Sequence, residues 1–186
     1  MKTKQRCGWC VGDELYEAYH DKEWGVPVHD DRLLFEMICL EGAQAGLSWI
    51  TVLKKRQRYQ EVFFNFDAKK MSKMTAEDVE RLMLDAGIIR HRGKIEGFIK
   101  NATVFLQIKK EFGSFDAYIW QFVGGKPIKN KVKNFRVAQS KTLESDAMSK
   151  DLKKRGFKFV GTTICYAFMQ AVGMVNDHEE SCFRFK

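Results

Sequence analysis

Apolar residues recur along most of this chain at intervals of three and four positions, the spacing that places side chains on one face of an α-helix. The longest such stripe lies within residues 94–112 and consists of Ile95, Phe98, Ile99, Ala102, Phe105 and Leu106. Further helices are predicted to begin near Asp31, Thr75, Ser114 and Ser145, and another to cover Ile164 to Val172. Strand-like alternation is scarce, so the pattern predicts an all-α fold.

Residues that favour helix ends support these boundaries. Thr75 followed by Asp78 resembles a capping box at a helix start. Glycines that readily end a helix in a left-handed conformation stand at Gly87, Gly113, Gly156 and Gly173. The stretch from Gly124 to Thr142 is rich in lysine and shows no periodicity, so we predict a loop or a weakly ordered crossing there.

Length and composition then restrict the class of protein. With 186 residues, of which 45% are hydrophobic and 30% charged, the chain can bury a sizeable core and is too apolar to be disordered. No apolar run is long enough for a membrane span, and the basic N-terminus lacks the apolar core of a secretory signal. Five cysteines without such a signal indicate a reducing compartment. We predict one domain over residues 1–186, in a monomeric cytoplasmic protein.

Charge is distributed unevenly along the chain, which carries a formal net charge of +8. Residues 1–50 hold 5 Lys and Arg against 9 Asp and Glu, a net charge of −4. Residues 51–186 hold 27 against 15, a net charge of +12. The total indicates a polyanionic partner, but three of the four tryptophans lie in the acidic part. Basic and aromatic character therefore belong to different stretches.

Two Cys/His pairs lie at opposite ends of the sequence. Cys7 and His20 lie near the N-terminus, while His178 and Cys182 are separated by three residues, a spacing that suits two ligands of one ion. Two thiolates and two imidazoles form the donor set of a structural zinc site. The alternatives are four unrelated residues, a redox dithiol of Cys7 and Cys10, or a site in which Cys10 replaces one ligand.

The acidic first part also holds a group of aromatic residues with polar groups around the carboxylate Glu41, namely Trp9, Tyr16, Tyr19, Trp24 and Trp49. Each of them alone fits a hydrophobic core, but together they are suited to sandwich a flat, cationic ring. Small residues at 42–46 allow the close approach of another molecule. Leu47 follows in a predicted exposed turn, where an apolar side chain can act as a wedge in DNA.

Residues 84–95 predict a helix, a glycine-containing turn and a second helix, the layout of a helix-hairpin-helix motif, which we place near residues 77–110. In that motif, N–H groups of the turn receive a DNA phosphate, here around Gly87 and Ile88. Arg90, Arg92 and Lys94 add positive charge to the contact. The short basic runs at 54–58 and 153–155 are more typical of solvated helix faces.

Five blocks of this sequence resemble the bacterial 3-methyladenine DNA glycosylase I family. They are CGW (7–9), YEAYHDKEWGVP (16–27), LFEMICLEGAQAGLSWITVLKKR (34–56), DAGIIRHRGKI (85–95) and LKKRGFKFVGTTICYAFMQAVGMVNDH (152–178). The resemblance covers nearly the whole chain. It implies a helix-hairpin-helix glycosylase fold with a zinc-binding element built from residues 1–25 and 174–186. Cys10 and the stretch 124–142 depart from the family pattern.

The resemblance also assigns roles to individual residues. It implies one structural Zn²⁺ held by Cys7, His20, His178 and Cys182. It implies base recognition by Glu41, Tyr16, Tyr19, Trp49, Trp9 and Trp24. The loop that fills the gap left by a flipped nucleotide falls on Gly46, Leu47 and Gln44.

The implied reaction is hydrolysis of the N-glycosidic bond of 3-methyladenine in double-stranded alkylated DNA. It would release the free base and leave an abasic site in base-excision repair, in an enzyme associated with the nucleoid. The lesion must leave the base stack to be reached. The sequence lacks the Gly-Pro-Asp tripeptide of related enzymes, so we expect Glu41 to recognise the cationic base. We expect no lyase activity, because no lysine can be singled out as a Schiff-base nucleophile.

Two other functions remain open from the residues alone. A zinc-stabilised DNA-binding module without catalysis explains the basic surface and the Cys/His set, but not the acidic aromatic stretch. A thiol oxidoreductase centred on Cys7 and Cys10 explains the CxxC spacing, but no thioredoxin-like pattern surrounds it.

Overall fold

The structure is a computed structural model that describes residues 4–185. These residues form ten α-helices and one small two-stranded sheet. The helices are α1 (Glu14–Lys22), α2 (Asp31–Gln44), α3 (Trp49–Leu53), α4 (Arg56–Val62), α5 (Ala68–Met71), α6 (Ala76–Met83), α7 (Arg92–Phe112), α8 (Phe115–Trp120), α9 (Leu143–Arg155) and α10 (Thr162–Ala171). Within 4–185, no helix combines the length and the apolar character that a membrane span requires.

Most predicted helix boundaries agree with the structure. The capping box of Thr75 and Asp78 is present at α6, and the Ser114 side chain accepts the Ala117 N–H at the start of α8. Gly113 and Gly156 follow the last residues of α7 and α9 with positive φ angles of 83° and 102°. The mostly helical fold is therefore confirmed.

Other predicted boundaries are wrong by a few residues. Helix α2 does begin at Asp31 as predicted, but α7 begins at Arg92, before the predicted stretch 94–112. Ser145 is the third residue of α9, where it completes a capping box whose N-cap is Thr142. The prediction that Gly87 ends a helix is wrong, because α6 already stops at Met83.

The long helix α7 lies at the centre of a single hydrophobic core and contacts α2, α5, α6 and α8. Close packing near the site depends on glycine, because Gly42 of α2 and Gly97 of α7 both face Phe159. A Cβ atom added at Gly42 would lie 3.1 Å from the Phe159 side chain and 3.2 Å from its carbonyl oxygen. Gly42, the first residue of the small-residue run at 42–46, is thus needed for internal packing against Phe159.

The lysine-rich stretch 124–142, which we call the strap, is more ordered than predicted. Its strand β1 (Ile128–Lys129) pairs in parallel with β2 (Val175–Asn176), and a further bridge joins Val132 to Glu179. A 3₁₀ turn follows at Phe135–Val137. Most of the strap is therefore a loop as predicted, but its short strand, its bridge and its 3₁₀ turn make it more than a weakly ordered crossing.

Candidate active site

A cavity of about 350 Å³ lies between the N-terminal region, α2, α10 and the strap. All six residues predicted to recognise a base line it, together with the predicted wedge residue Gln44. These are Trp9, Tyr16, Tyr19, Trp24, Glu41 and Trp49. We call this cavity the base pocket.

Local structure explains how these residues converge. Asp13 caps α1 by accepting the N–H groups of Leu15 and Tyr16, so that Tyr16 and Tyr19 lie one turn apart on the same helix. Glu41 lies in the last turn of α2, and Trp49 is the first residue of α3 after a tight turn. Three helices therefore position these four residues of the pocket.

The aromatic rings of the pocket contact one another at angles that hold them in place. The Trp9 ring lies edge-on to Tyr16 at a centroid distance of 4.8 Å and to Trp24 at 5.0 Å. Tyr19 and Trp49 are tilted at 5.5 Å. Because these arrangements are favourable for aromatic pairs, the pocket walls are preorganised.

Glu41 is the one charged side chain predicted for the pocket, and it is buried at 4% exposure. Within residues 4–185 its carboxyl group makes no hydrogen bond. Burial raises its pKa to about 8. Burial raises the pKa of Tyr16 to about 12, with a further contribution from the charge of Glu41. The carboxyl group thus lies near the tyrosines in a site that disfavours an isolated charge.

Two further polar groups of the pocket residues lack partners. The indole N–H groups of Trp9 and Trp49 are buried and donate no hydrogen bond to any described residue. By comparison, Oε1 of the buried carboxylate of Glu36 on the same helix accepts from Arg56 at 2.7 Å and from Gln60 at 2.9 Å, while its Oε2 makes no hydrogen bond and lies 3.6 Å from the Arg32 guanidinium. Buried polar groups are nearly always paired in folded proteins, so unpaired ones gathered at one cavity point to a ligand.

The opposite wall contains residues that the sequence did not single out. Four belong to the strap, namely Phe135, Ala138, Gln139 and Ser140, and others come from α10 and the segment after it, namely Thr163, Tyr166, Ala167, Gln170 and Asp177. Asp177 accepts hydrogen bonds from Tyr166 at 2.7 Å and Gln170 at 2.8 Å, while its other oxygen accepts Asn130 at 2.6 Å. Asp177 therefore fixes the strap to α10.

The wedge residues lie beside the pocket. Gly46 has a φ of 78°, a left-handed conformation that favours glycine, and Leu47 is 42% exposed. A second cavity of about 340 Å³ is lined by Gly46 and Leu47 and shares Glu41, Gln44, Thr163 and Ala167 with the base pocket. An exposed apolar side chain thus stands at the edge of the predicted site.

The predicted metal ligands form one buried cluster in which all four donor atoms lie within 4.8 Å of one another. Cys7 Sγ lies 3.6 Å from His178 Nδ1, and Cys182 Sγ lies 3.5 Å from His20 Nε2 and 3.7 Å from His178 Nδ1. A tetrahedral zinc ion with its usual bond lengths holds sulfur and nitrogen about 3.6 Å apart. The residues present therefore fit zinc.

Surrounding hydrogen bonds orient these donors. The other ring nitrogen of His20 contacts Asp21 at 2.9 Å, and that of His178 contacts the Trp24 carbonyl at 3.2 Å. The N–H of Glu179 donates to Cys7 Sγ at 3.3 Å and that of Arg184 to Cys182 Sγ at 3.4 Å. Both patterns are typical of metal sites, where partners of the ligands fix the ring tautomer and support thiolates.

Cys10 lies outside this donor set. Its thiol donates to the Cys7 carbonyl at 3.2 Å, and burial raises its pKa to about 11. A reactive dithiol needs an exposed thiol of lowered pKa, so the buried Cys10 argues against the oxidoreductase alternative. The predicted metal element also includes residues 1–3 and 186, which lie outside the described residues.

Comparison with known proteins identifies the family of this chain. The family described as methyladenine glycosylase matches residues 9–185. The chain belongs to the methyladenine glycosylase family. It is 58% identical over 178 residues to DNA-3-methyladenine glycosylase 1 of Escherichia coli (strain K12), covering 96% of this chain and 95% of that protein.

Solved structures agree with this family. A crystal structure of 3-methyladenine DNA glycosylase I matches with a TM-score of 0.96 and 56% identity over 98% of this chain and 100% of the other. A Tyr-to-Phe variant of 3-methyladenine DNA glycosylase I in complex with 3-methyladenine matches with a TM-score of 0.94 and 36% identity, over 97% of each chain.

In this methyladenine glycosylase, the turn between α6 and α7 is held by internal hydrogen bonds. The N–H of Gly87 donates to the Asp85 side chain at 2.8 Å and that of Ile88 to the Asp85 carbonyl at 3.3 Å. The amide groups predicted to receive a phosphate at Gly87 and Ile88 are therefore already used. Arg90 is exposed, and Arg92 is half-exposed beside Glu80 at 2.8 Å.

Lys94 has a different environment from the one predicted for a phosphate contact. It is buried at 7% exposure, and its ammonium group donates to the carbonyl oxygens of Ala43 at 2.8 Å and Ala45 at 2.7 Å. These carbonyls flank Gln44 at the end of α2. The structure therefore speaks against a phosphate contact and places Lys94 beneath the turn that carries Gly46 and Leu47.

Proposed function

We propose that this protein removes 3-methyladenine from double-stranded alkylated DNA by hydrolysing the N-glycosidic bond, which leaves an abasic site. The observation that carries this proposal is the buried, unpartnered carboxyl group of Glu41 within a pocket of aromatic rings. Family membership and the relatives named for this activity support it.

The proposed mechanism begins with selection of the base. Methylation at N3 makes the adenine ring cationic within DNA, and the damaged nucleotide is flipped out of the stack. The Tyr and Trp rings stack on the cation, each contact contributing about 0.5–2 kcal/mol. Glu41 loses its proton as the cationic base enters, because the positive charge stabilises the carboxylate. A neutral adenine offers no such charge and is rejected.

Bond cleavage then requires little further chemical assistance. The electrons of the C–N bond move onto the cationic ring, which leaves as neutral 3-methyladenine. Water adds to the sugar carbon, and its proton passes to solvent. The contribution of the protein is therefore positioning and the exclusion of bulk water from the base pocket.

The proposal also covers the metal ion, the domain and the DNA contacts. Cys7, His20, His178 and Cys182 would hold one Zn²⁺, which supplies a structural link between the two ends of the chain. Residues 1–186 would act as one monomeric glycosylase domain, as a single hydrophobic core supports. Gln44, Gly46 and Leu47 would fill the gap left by the flipped nucleotide. Arg90 and Arg92 would contact the DNA backbone.

The test is chromatography of the bases released from methylated duplex DNA. We expect the wild-type protein to release 3-methyladenine. Glu41→Gln should slow release about 10²–10³-fold, as losing one electrostatic contact in a buried site does. Glu36→Gln, on the same helix but outside the pocket, is the matched control. A wild-type rate for Glu41→Gln would refute the role of Glu41.

The same assay separates the alternatives. A binding module would retain methylated DNA without releasing any base. Because no lysine nucleophile is assigned, the DNA strand should remain unbroken after base release until alkali is added. Strand cleavage by the protein alone would contradict a monofunctional glycosylase.

A further inference from the structure

The strap carries a concentrated positive charge for which the base pocket has no use. Residues 124–142 contain 6 Lys and Arg residues and no Asp or Glu. They are Lys126, Lys129, Lys131, Lys133, Arg136 and Lys141. All six are exposed, and none forms an ion pair with a residue in the described range 4–185.

Many cations elsewhere in the chain are already neutralised. Arg56 pairs with Glu23 and Glu36, while Arg155 pairs with Glu111 and Asp151. These ion pairs hold helices together and leave little charge for a partner. The positive charge of the strap, in contrast, is free to interact with an external anion.

The backbone of the strap arranges part of this charge in a row. Along residues 128–133, Ile128, Asn130 and Val132 turn inward, while the three lysines at 129, 131 and 133 turn outward. Alternate residues of an extended chain lie about 6.6 Å apart. That separation is comparable with the distance between neighbouring phosphates along a nucleic-acid strand.

The inward residues anchor this row to the site. Ile128 pairs with Val175, and the Asn130 side chain donates to Asp177, which lines the base pocket. Further along, the Phe135 N–H donates to the buried carboxylate of Glu179 at 2.8 Å. The strap is therefore attached to the C-terminal segment on one side and presents lysines to solvent on the other.

The strap lies where a flipped nucleotide would enter the base pocket. Phe135, Ala138 and Gln139 form one wall of the base pocket, whose other residues continue into the cavity beside Leu47. DNA that delivers a base into this pocket must bring its backbone to the rim. The strap is part of that rim.

We propose that the strap is a second DNA-backbone surface, in which Lys131, Lys133 and Arg136 bind phosphates near the lesion. This inference rests on the proposed function and extends it, because the predicted backbone contacts lie only in the turn before α7 and in the first turn of α7. The strap would hold DNA at the pocket side, independently of sequence.

The first experiment measures the affinity for an undamaged DNA duplex as a function of salt. Each phosphate contact contributes about 0.9 to the slope of log affinity against log salt. Replacing Lys131, Lys133 and Arg136 together by Gln should lower the slope by about 2–3. The matched control replaces Lys69, Lys70 and Lys73, three exposed lysines in and after α5, by Gln. An unchanged slope in the strap variant, or an equal loss in the control, would overturn the proposal.

A second measurement uses the unaltered protein and so does not depend on how the variant folds. Lysine acetylation followed by mass spectrometry should show that duplex DNA protects Lys131 and Lys133, whereas Lys69 and Lys70 react as before. Equal reactivity of all four with and without DNA would refute the surface. Binding of undamaged DNA needs no excision, so a failure to release 3-methyladenine would refute the proposed function without affecting this result.

Discussion

The Cys/His cluster and the base pocket lie side by side, and two tryptophans of the pocket wall contact the histidines of the cluster. The two sites differ in whether their polar groups have hydrogen-bond partners. Trp9 packs against His20 at 5.4 Å as well as against Tyr16, and Trp24 packs against His178 at 4.6 Å. In the cluster, the second nitrogen of each histidine has a partner. In the pocket, Glu41 and two indole N–H groups have none among the described residues.

This difference separates a structural site from a binding site by physical criteria. Groups that are fully hydrogen-bonded hold one geometry, whereas buried groups without partners raise the free energy of the empty protein until a ligand satisfies them. The cluster is thus rigid, whereas the pocket keeps polar groups that a bound ligand can pair with.

The largest effect is expected at the cluster. Cys182→Ser removes one thiolate ligand, and we expect the loss of bound zinc with a destabilisation of at least about 4 kcal/mol. Metal analysis and thermal unfolding measure both. Cys10→Ser is the control and should retain one zinc ion per chain, because Cys10 lies outside the donor set. If Cys182→Ser kept its metal and its midpoint, the cluster would not be a zinc site.

An intermediate effect is expected at the turn beside the pocket. Lys94→Met keeps most of the buried stem but leaves the carbonyls of Ala43 and Ala45 without a donor, at a cost of about 1–3 kcal/mol. The wedge matters only where a partner strand must be displaced. We therefore expect excision from duplex DNA to fall more than excision from single-stranded DNA.

The ratio of kcat/KM on the two substrates is the measurement for this prediction. Lys100→Met, an exposed position on the same helix, should leave the ratio unchanged. An equal loss on both substrates would mean that Lys94 supports general stability and not the wedge turn.

The smallest effect concerns the stability cost of Glu41. Its pKa in the folded protein is about 8, against an ordinary value of 4.5. The folded protein therefore binds one more proton than the unfolded chain between these values, and the free energy of unfolding falls as pH rises through this range. Gln cannot titrate, so Glu41→Gln should be more stable than wild type at pH 8.5 by at least about 1.4 kcal/mol.

Thermal unfolding at two pH values checks this prediction. At pH 4.5 the Glu41 carboxyl group is protonated in the folded protein and about half protonated in the unfolded chain, so the advantage of Glu41→Gln should be much smaller. The gain of about 1.4 kcal/mol at pH 8.5 corresponds to about 3–6 °C in Tm for a chain of this size. Equal differences at both pH values would show that Glu41 is not held as a neutral group in the free protein.

The sequence was most informative where a signal spans several helical turns. The 21 residues of α7 contain enough apolar positions to define one face, and the capping box at Thr75 needs only residues within one turn. The helices α3, α4 and α5 have 5, 7 and 4 residues, too few for a periodic stripe, and were not predicted. Their structure depends on packing against residues distant in sequence.

The same distinction applies to the site. Residue types with unusual chemistry, such as Glu41 among aromatics or Cys7 and His178, stand out in a sequence. Lys94 does not, because a lysine that caps buried carbonyls looks the same as one that binds phosphate. The alternation in Ile-Lys-Asn-Lys-Val-Lys at 128–133 is too short to count as a periodic pattern, and its inward residues can be recognised only when Val175 and Asp177 are placed beside them.

The meeting of the two chain ends has a consequence for synthesis. Cys7 and His178 contact each other across 171 positions, and Asp177 closes the wall opposite Trp9. A ribosome adds about 5–20 residues per second from the N-terminus. Tyr16 and Glu41 are therefore synthesised long before the residues that complete the pocket around them. A growing chain lacks the pocket wall formed by α10 and Asp177, and a chain cut before Cys182 lacks one of the four clustered donors.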